Sequence, residues 1–239
     1  MRIAMWSGPR NLSTAMMYAF AARGDCAVWD EPFYSAYLKL TGLAHPMAEE
    51  VMAAHDSDPV RAGSELYGSD KGKNPHFYMK HMAHHMIDGI PLDWAEGCVH
   101  VHLIRHPARA ISSYGAKRED PTLKDIGFVQ QHRMYQKFGG VVIDSHDIRA
   151  DPGAMLQALC AKIGLDWKPD MLHWPVGGHV DDGVWAAHWY GAVHQSTGFA
   201  GAEGALPRLT GRFAELERQA LPYYESLAKV RLRAIPSGT

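Results

Sequence analysis

Five short apolar runs alternate with longer segments of helical spacing, and this alternation is what most constrains the fold. The runs are candidate strands over residues 2–6, 26–29, 76–79, 99–104 and 141–144. Strands that alternate with helices pair in parallel through right-handed crossovers. We therefore expect an α/β fold in three layers (α/β/α) around a central, mostly parallel five-stranded sheet.

The segments between and after these runs carry helix signals. From Leu12 to Phe20 apolar residues recur at helical spacing, and Gly24 provides a stop. Further helices are expected from Pro107 through Lys117, over 121–138 with Asp125, Gln131 and Lys137 on a solvent-facing side, from Asp151-Pro152 onward, and over 206–232 with an interruption at Pro222. Residues 174–205 have no clean period and predict an ordered loop region.

Composition and charge exclude several classes of protein. The chain has 239 residues and is 46% hydrophobic, which suits one core-forming domain over residues 1–239. Its net charge of −2 provides no chain-wide basic field for nucleic acid. No apolar run reaches the roughly 18 residues of a membrane span, and the N-terminal apolar stretch is too short for a signal peptide.

The three cysteines are far apart in the sequence, at positions 26, 98 and 160. Such a sparse and odd set argues against a disulfide framework and for a reducing compartment. We therefore expect a cytoplasmic protein that binds neither nucleic acid nor membrane. The sequence does not indicate an oligomeric state.

The segment after the first candidate strand has the features of an anion site. Residues 7–14 read SGPRNLST and precede the first helix, a position where doubly wound sheets bind ligands. Free backbone N–H groups and the hydroxyls of Ser13 and Thr14 favour a phosphate or sulfate oxygen, and Arg10 adds a charged donor fork. A plain connection in which Ser or Asn caps the helix is the alternative. The lysine of the GxxxxGK loop is absent, which disfavours a kinase.

A second basic segment follows the fourth candidate strand. Residues 102–107 read HLIRHP, so that Arg105 lies at the carboxyl end of the strand and Pro107 begins a helix. That helix carries Ser113, which meets the same anion as Arg105 if the helix returns over the strand end. By itself, this pattern favours a surface arginine and a first-turn proline.

Taken together, GPRNLST and LIRHPARAISSY resemble the two nucleotide-binding segments of the sulfotransferase family, which has a P-loop-like fold and uses 3′-phosphoadenosine 5′-phosphosulfate. The family's first segment resembles PKSGTT or PRSGTT and cradles the 5′-phosphosulfate; its second resembles RNPxDxxxSxY and holds the 3′-phosphate. The resemblance implies that the 5′ end of the donor is held by Gly8, Pro9, Arg10, Asn11, Ser13 and Thr14. It implies that Arg105 and Ser113, eight residues apart as in the family, hold the 3′-phosphate.

This chain departs from the family pattern at three points. Leu12 replaces the loop glycine, so the backbone is expected to approach the sulfate less closely. Arg10 stands where the family usually has lysine. A C-terminal clamp resembling Arg-Lys-Gly is not visible, and residues 194–199 (HQSTGF) are the alternative source of hydroxyl and backbone donors.

Sulfuryl transfer requires positioning, cations at the leaving phosphate oxygen and a base for the acceptor. Arg10 and Lys80 are the candidate cations, and Lys80 is expected to end the third strand, where the family often carries a lysine. Glu31 is the first candidate base, because several relatives place a catalytic glutamate after the second strand, and His81 is the second. The alternatives are structural: a turn carboxylate or an ion-pair partner of Arg10 for Glu31, and a solvated residue for Lys80.

The histidines His81, His84 and His85 do not have the spacing of a metal site. HxxHH lacks the glutamate and spacing of HExxH, so we expect helix-surface histidines and no metal. Trp185 and Tyr190 are expected to lie mostly in the core, although they are also candidates for an acceptor pocket.

The sequence therefore predicts a transferase that moves a sulfuryl group from the phosphosulfate nucleotide to a small hydroxyl- or amine-bearing acceptor without a metal. Two alternatives stay open. One is a P-loop-like kinase or phosphatase of small molecules, with Asp30 or Asp144 binding Mg²⁺. The other is a degenerate module that binds nucleotide without turnover.

Overall fold

The candidate strands form one parallel sheet. The computed structural model describes residues 1–68, 74–116 and 120–234. Its strands are β1 (Arg2–Ser7), β2 (Cys26–Asp30), β3 (His76–Met82), β4 (Val99–Ile104) and β5 (Val141–Asp144). They are hydrogen-bonded in the order β2-β3-β1-β4-β5, and every neighbouring pair is parallel. The predicted α/β architecture is confirmed, and the carboxyl ends of all five strands lie along one edge.

Both faces of the sheet are buried, which is why the strands are mostly apolar; polar residues inside them, such as Lys80, His81 and His102, are buried as well. In β1, Ile3 and Met5 contribute to the core on one face, and Ala4 and Trp6 to the core on the other. All four side chains are fully buried. The strand period of two therefore supplies both halves of the core from one short segment.

Helices cover both faces. They are α1 (Ser13–Ala21), α2 (Tyr34–Thr41), α3 (Ala48–Ala54), α4 (Pro59–Gly68), α5 (Pro107–Gly115), α6 (Leu123–Ile126), α7 (Phe128–Phe138), α8 (Ser145–Ala150), α9 (Pro152–Ile163), α10 (Ala186–Trp189), α11 (Gly191–His194) and α12 (Gly211–Ala228). Short 3₁₀ turns cover Ala83–His85, Asp93–Ala95 and Pro169–Leu172. Within the described ranges, no helix combines the length and apolarity needed to cross a bilayer.

Several helix boundaries differ from the predictions. The sequence analysis does not predict α2 and α3, which are short, at eight and seven residues, and start without a side-chain cap. The predicted end of the helix at Lys117 lies outside the described residues. The α9 helix begins as predicted, since the Asp151 side chain accepts a hydrogen bond from the Ala154 N–H at 2.9 Å.

The predicted helix over 121–138 is wrong as one element. Gly127 takes a left-handed φ of 70° and divides it into α6 and α7. Asp125 and Gln131 are buried rather than wet: Asp125 caps α6 together with Thr122, and Gln131 faces the sheet. Hydrogen bonds to Asp125 and Gln131 keep these two side chains buried. Of the three residues predicted to be exposed, only Lys137 is exposed.

The C-terminal helix is not interrupted at its proline. Helix α12 runs continuously through Pro222, whose side chain is exposed. A proline frees the carbonyl four residues earlier in a helix, and on an exposed face water can bond that carbonyl. The predicted break is therefore absent.

The Gln131 amide supports the sheet near the carboxyl ends of β1 and β4. Its Nε2 donates to the backbone carbonyls of Trp6 at 3.1 Å and Leu103 at 2.8 Å. Gln131→Met should destabilise the fold by about 1–3 kcal/mol, since both contacts are buried and their acceptors lose a donor. Gln136→Met is the matched control, on the same helix but exposed. Urea denaturation of both variants measures the difference; equal stabilities would contradict the role assigned to Gln131.

Candidate active site

One cavity of about 370 Å³ collects residues from the carboxyl ends of the strands. Its wall includes the loop after β1, Glu31 after β2, His84 and His85 after β3, Arg105 after β4 and Ser145 after β5. A parallel sheet brings these positions to one edge. Both basic segments singled out in the sequence therefore face the same cavity.

The loop between β1 and α1 presents an uncapped helix N-terminus. The N-cap residue of α1 is Leu12, and it makes no side-chain capping bond. The plain capping alternative is therefore wrong, and the Asn11 amide instead donates to the Leu103 carbonyl at 3.3 Å. Ser13, Thr14 and Ala15 line the cavity, so the positive end of α1 faces it.

A glycine is required where this loop leaves the sheet. A Cβ placed on Gly8 would lie 2.8 Å from the carbonyl oxygen of Ile126. No real side chain fits at that distance without a shift of the backbone. Gly8 therefore has a packing role as the loop passes α6.

The two basic segments contact each other directly. Arg10 Nε donates to the Ser113 hydroxyl at 3.0 Å, and Arg105 Nη1 donates to the Arg10 carbonyl at 2.6 Å. Burial, and then the charge of Arg105, lower the pKa of Arg10 from its ordinary value. Two guanidinium groups held this closely create a local positive field in a chain whose net charge is −2.

Left-handed backbone conformations concentrate at this site. Among the described residues, four that are not glycine have positive φ, and three of them line the cavity: Arg10 (62°), Leu12 (76°) and Glu31 (42°). Leu12 stands where the family pattern has glycine, and its φ explains that preference, since glycine adopts this region freely. Glu31 also precedes Pro32, which restricts its backbone further. Such strain accumulates at functional sites more than elsewhere.

A buried ion cluster lies on the β2 and β3 side of the cavity. The sheet register pairs Asp30 with Lys80, and Lys80 Nζ donates to Asp30 at 2.7 Å, to Glu31 at 2.5 Å and to the Tyr190 hydroxyl at 2.6 Å. These contacts use all three of its donors. Lys80 lies inside β3 and is 1% exposed, so both its predicted position at the strand end and the solvated alternative are wrong. Glu31 pairs with Lys80 rather than with Arg10.

Burial and charge shift the pKa values of this cluster in different ways. It raises the pKa of Glu31, and Asp30 adds to the rise, while Lys80 opposes it. Burial lowers the pKa of Lys80, but the charges of Asp30 and Glu31 outweigh it, so that pKa lies above its ordinary value. Two carboxylates share one ammonium group; Glu31 lines the cavity, as do Lys80 and Tyr190, whereas Asp30 is not part of its wall.

His81 does not reach the cavity. It alternates with Lys80 on β3, so its ring points to the opposite face of the sheet, between Trp6 and Trp94 with centroid distances of 4.9 and 4.5 Å. Burial lowers its pKa to about 3, and neither ring nitrogen has a hydrogen-bond partner in the described parts of the chain. The structure removes His81 as a candidate base.

His84 and His85 are buried rather than on a helix surface. They belong to a 3₁₀ turn, and the ring of His85 stacks between Tyr34 and Tyr37. Both line the cavity on the side where Tyr34, His45, Trp189 and Tyr190 form an aromatic wall. No group of three or more His, Cys, Asp or Glu side chains in residues 1–68, 74–116 and 120–234 is arranged to hold a metal.

A second ion cluster lies at Arg105. Its guanidinium and those of Arg109 and Arg149 surround the carboxylate of Glu203, at N–O distances of 2.5, 3.0 and 3.1 Å. Arg105 and Arg149 also line the cavity. Ser113 lines it as well, but its hydroxyl contacts Arg10 and not Arg105.

Sequence reasoning missed four residues of the site in these roles. Tyr190 was assigned mainly to the core, and Arg149 and Glu203 were not singled out. Asp30 was considered only as a magnesium ligand, whereas it is an ion-pair partner of Lys80. Arg149 follows β5 at the same sheet edge, a signal available in the sequence, but Glu203 lies in an irregular segment that carries no such signal.

A family model for the sulfotransferase domain matches residues 1–232. Two proteins of Arabidopsis thaliana, named branched-chain-amino-acid aminotransferase-like protein 1 and protein 2, are each 32% identical to this chain over 231 residues. The alignments cover 94% of this chain and 41% of each relative, so the chain spans about two fifths of their length.

Two solved sulfotransferase domains share the fold. The domain of the Synechococcus PCC 7002 olefin synthase has a TM-score of 0.52 and 17% identity, over 95% of this chain and 94% of its own. The domain from the curacin biosynthetic pathway has a TM-score of 0.50 and 14% identity, over 91% and 96%. At these identities the likeness establishes the fold alone.

The left-handed φ of Leu12 leads to a prediction about the stability of two variants. Leu12→Gly should be more stable than Leu12→Ala by about 1 kcal/mol, because glycine takes this conformation without a Cβ penalty. The same pair at Gln219, exposed within α12, should show the opposite order, with alanine favoured by roughly 1 kcal/mol. Chemical denaturation of the four variants checks both orders, and alanine above glycine at position 12 would disprove the strain.

Proposed function

Because this chain belongs to the sulfotransferase domain family, we propose that it transfers a sulfuryl group from 3′-phosphoadenosine 5′-phosphosulfate to a small hydroxyl- or amine-bearing acceptor. One observation carries the proposal: the two basic segments meet across a single cavity, through the Arg10–Ser113 contact at 3.0 Å and the Arg105–Arg10 contact at 2.6 Å. A donor with anionic groups on both sides of its ribose requires two such sets of donors at a fixed separation.

The 5′-phosphosulfate is assigned to the loop after β1. The uncapped N-terminus of α1, the hydroxyls of Ser13 and Thr14 and the Arg10 guanidinium supply donors and positive charge. These groups would stabilise negative charge on the leaving phosphate oxygen as the sulfuryl group departs. No metal is needed for this step in the proposal.

Glu31 is the proposed base for the acceptor. In the described parts of the chain, its hydrogen bonds from Lys80 and Tyr190 both go to Oε1, which leaves Oε2 for the acceptor's proton. Lys80 has no donor left for the nucleotide, so we assign it the positioning of Glu31 in place of a direct contact with the donor. Tyr190 adds to this support: the single proton of its hydroxyl is shared between Asp30 Oδ2, at 2.8 Å, and Glu31 Oε1, at 3.2 Å.

The acceptor is proposed to lie against the aromatic wall. Tyr34, His45, Trp189 and Tyr190 line the cavity together with Glu31, and His45 stacks on Trp189 at 5.7 Å. Flat aromatic side chains provide apolar contact area with few polar requirements. This wall suits a small acceptor whose hydroxyl or amine reaches Glu31.

The kinase alternative receives no support from the two carboxylates on which it relied. Asp30 accepts hydrogen bonds from Lys80 and Tyr190, and Asp144 caps α8 and accepts from Tyr224 at 2.8 Å. Asp144 is not among the residues of the cavity wall. Ligand binding distinguishes the two functions directly.

We expect 3′,5′-bisphosphoadenosine, without metal, to raise the melting temperature, because a ligand that binds the folded state stabilises it. Arg105→Ala should weaken bisphosphate binding by roughly 10- to 100-fold and leave 5′-AMP binding little changed, since charge-assisted hydrogen bonds contribute about 1.5–3 kcal/mol. Arg61→Ala, at an exposed arginine of α4, is the matched control. A shift with ATP–Mg²⁺ but none with the bisphosphate would contradict the proposal.

Glu31→Gln should reduce turnover by about 10²- to 10⁴-fold, the usual contribution of a general base, with bisphosphate affinity nearly unchanged. The readout is conversion of the phosphosulfate donor with 4-nitrophenol as test acceptor, and Glu96→Gln, at an exposed position, is the control. Because the pKa of Glu31 is raised, the wild-type rate should increase with pH through a value above that of an ordinary glutamate. Unchanged turnover would return Glu31 to a structural role.

A further inference from the structure

An internal carboxylate occupies the arginine cluster beside the cavity. Glu203 Oε1 accepts hydrogen bonds from Arg105 Nε at 3.1 Å and Nη2 at 2.5 Å and from Arg149 Nη1 at 3.1 Å. Its Oε2 lies 3.0 Å from Arg109 Nε and 3.8 Å from His146 Nδ1. The Glu203 side chain is 1% exposed, which is unusual for a glutamate in an irregular segment.

The cluster holds more positive charge than this carboxylate neutralises. Three guanidinium groups surround one carboxylate, so two positive charges within the group are left over. Burial raises the pKa of Glu203, but the charge and hydrogen bonds of Arg105 outweigh this effect. The pKa of Glu203 therefore lies below that of an ordinary glutamate. Guanidinium forks of this kind match phosphate oxygens as well as carboxylates, and a phosphate dianion would balance the charge better.

A further donor lies unused at the same edge of the cavity. Ser145 begins α8, one turn before Arg149, and lines the cavity with it. Its side chain is 1% exposed, and its hydroxyl has no hydrogen-bond partner in the described ranges. A buried hydroxyl without a partner is rare, and an oxygen anion in the cavity would satisfy it.

Glu203 stands in conflict with the assignment of Arg105 to the nucleotide. Arg105 directs its bidentate edge, Nε and Nη2, to Glu203 and one N–H of Nη1 to the Arg10 carbonyl. A 3′-phosphate that binds this same edge of Arg105 must therefore take the place of the Glu203 carboxylate. The two anions cannot share one guanidinium fork.

We propose that Glu203 sets the affinity and selectivity of the site for the 3′ end of the donor: its carboxylate occupies the seat of the 3′-phosphate, and the nucleotide binds by displacing it. This inference rests on the proposed function. Binding then exchanges one anion for another. The apparent affinity for the nucleotide is the intrinsic affinity multiplied by the fraction of molecules in which Glu203 does not occupy the 3′-phosphate position.

The segment around Glu203 is flanked by glycines and is held by arginines of the cluster. Glu203 lies between Gly201 and Gly204, in the irregular chain that precedes α12. Arg149 Nε donates to the Gly201 carbonyl at 2.8 Å, and Arg109 donates to the Gly204 carbonyl. These two backbone hydrogen bonds do not involve the carboxylate, so its displacement should loosen the segment while Arg149 and Arg109 keep it tethered.

The test measures binding of 3′,5′-bisphosphoadenosine and 5′-AMP by calorimetry to wild type, Glu203→Gln and Glu215→Gln. Glu203→Gln should bind the bisphosphate about tenfold more tightly while AMP changes by less than about twofold, because the internal competitor is removed only from the 3′ seat. Glu215→Gln removes the same charge at an exposed position and should match wild type. An unchanged or lower ratio of the two affinities in Glu203→Gln would overturn the inference.

Failure of the inference and failure of the proposed function give different results. If wild type prefers the bisphosphate and Glu203→Gln shows the same preference, the donor assignment stands and Glu203 is not a competitor. If neither protein prefers the bisphosphate over AMP, the 3′-phosphate seat itself is disproved, and the inference with it.

Hydrogen exchange of the wild-type protein provides a readout that does not depend on a variant. Saturating bisphosphate should accelerate amide exchange over residues 200–206, because the segment loses one of its anchors as the phosphate enters. Slower exchange there would mean that the nucleotide binds on top of the anchored segment and would overturn the displacement. If Glu203→Gln proves too unstable to assay, Glu203→Asp, which shortens the side chain by one methylene, replaces it with the same expected direction.

Discussion

Parallel pairing of five strands is the constraint on which the rest of this structure depends. It places the ends of β1 to β5 along one edge, so that residues more than a hundred positions apart in sequence face a common cavity. Polar residues stand at or just after the ends of four of these strands (Ser7, Asp30, Arg105 and Asp144), whereas β3 ends at Met82. The polar residues of the site therefore lie where the apolar segments end, and the loops that carry these residues are held by the rigid sheet.

Charge in the cavity is sorted into two buried clusters. On one side Lys80 forms ion pairs with both Asp30 and Glu31; on the other three arginines enclose Glu203. Arg10 lies between them, in contact with Ser113 of α5 and with the Trp189 carbonyl of the aromatic wall. The first cluster has an excess of acid and the second an excess of base, which suits proton transfer at one end of a ligand and anion binding at the other. The proposed function and the displacement of Glu203 both follow from this asymmetry.

Much of the fold was predictable because the sheet is buried on both faces. Such strands are mostly apolar, and the observed limits of β4 and β5 are those that the sequence predicts. Short helices that have neither a side-chain cap nor a clear apolar period, such as α2, give no comparable signal. Gln131 shows a second limit of the sequence. A polar residue is predicted to be exposed, and only the structure reveals the two strand-end carbonyls that accept its hydrogen bonds and allow it to be buried.

The sequence alone determined the order of strands and helices, the position of the basic loop at Arg10 after the first strand and the family resemblance, because these depend on short local patterns. The tertiary structure decided which charges meet. It alone paired Asp30 with Lys80 through the sheet register, turned His81 away from the cavity and set Glu203 against Arg105. Ion pairs between distant segments depend on distances of a few ångströms in space, and separation along the chain does not encode them.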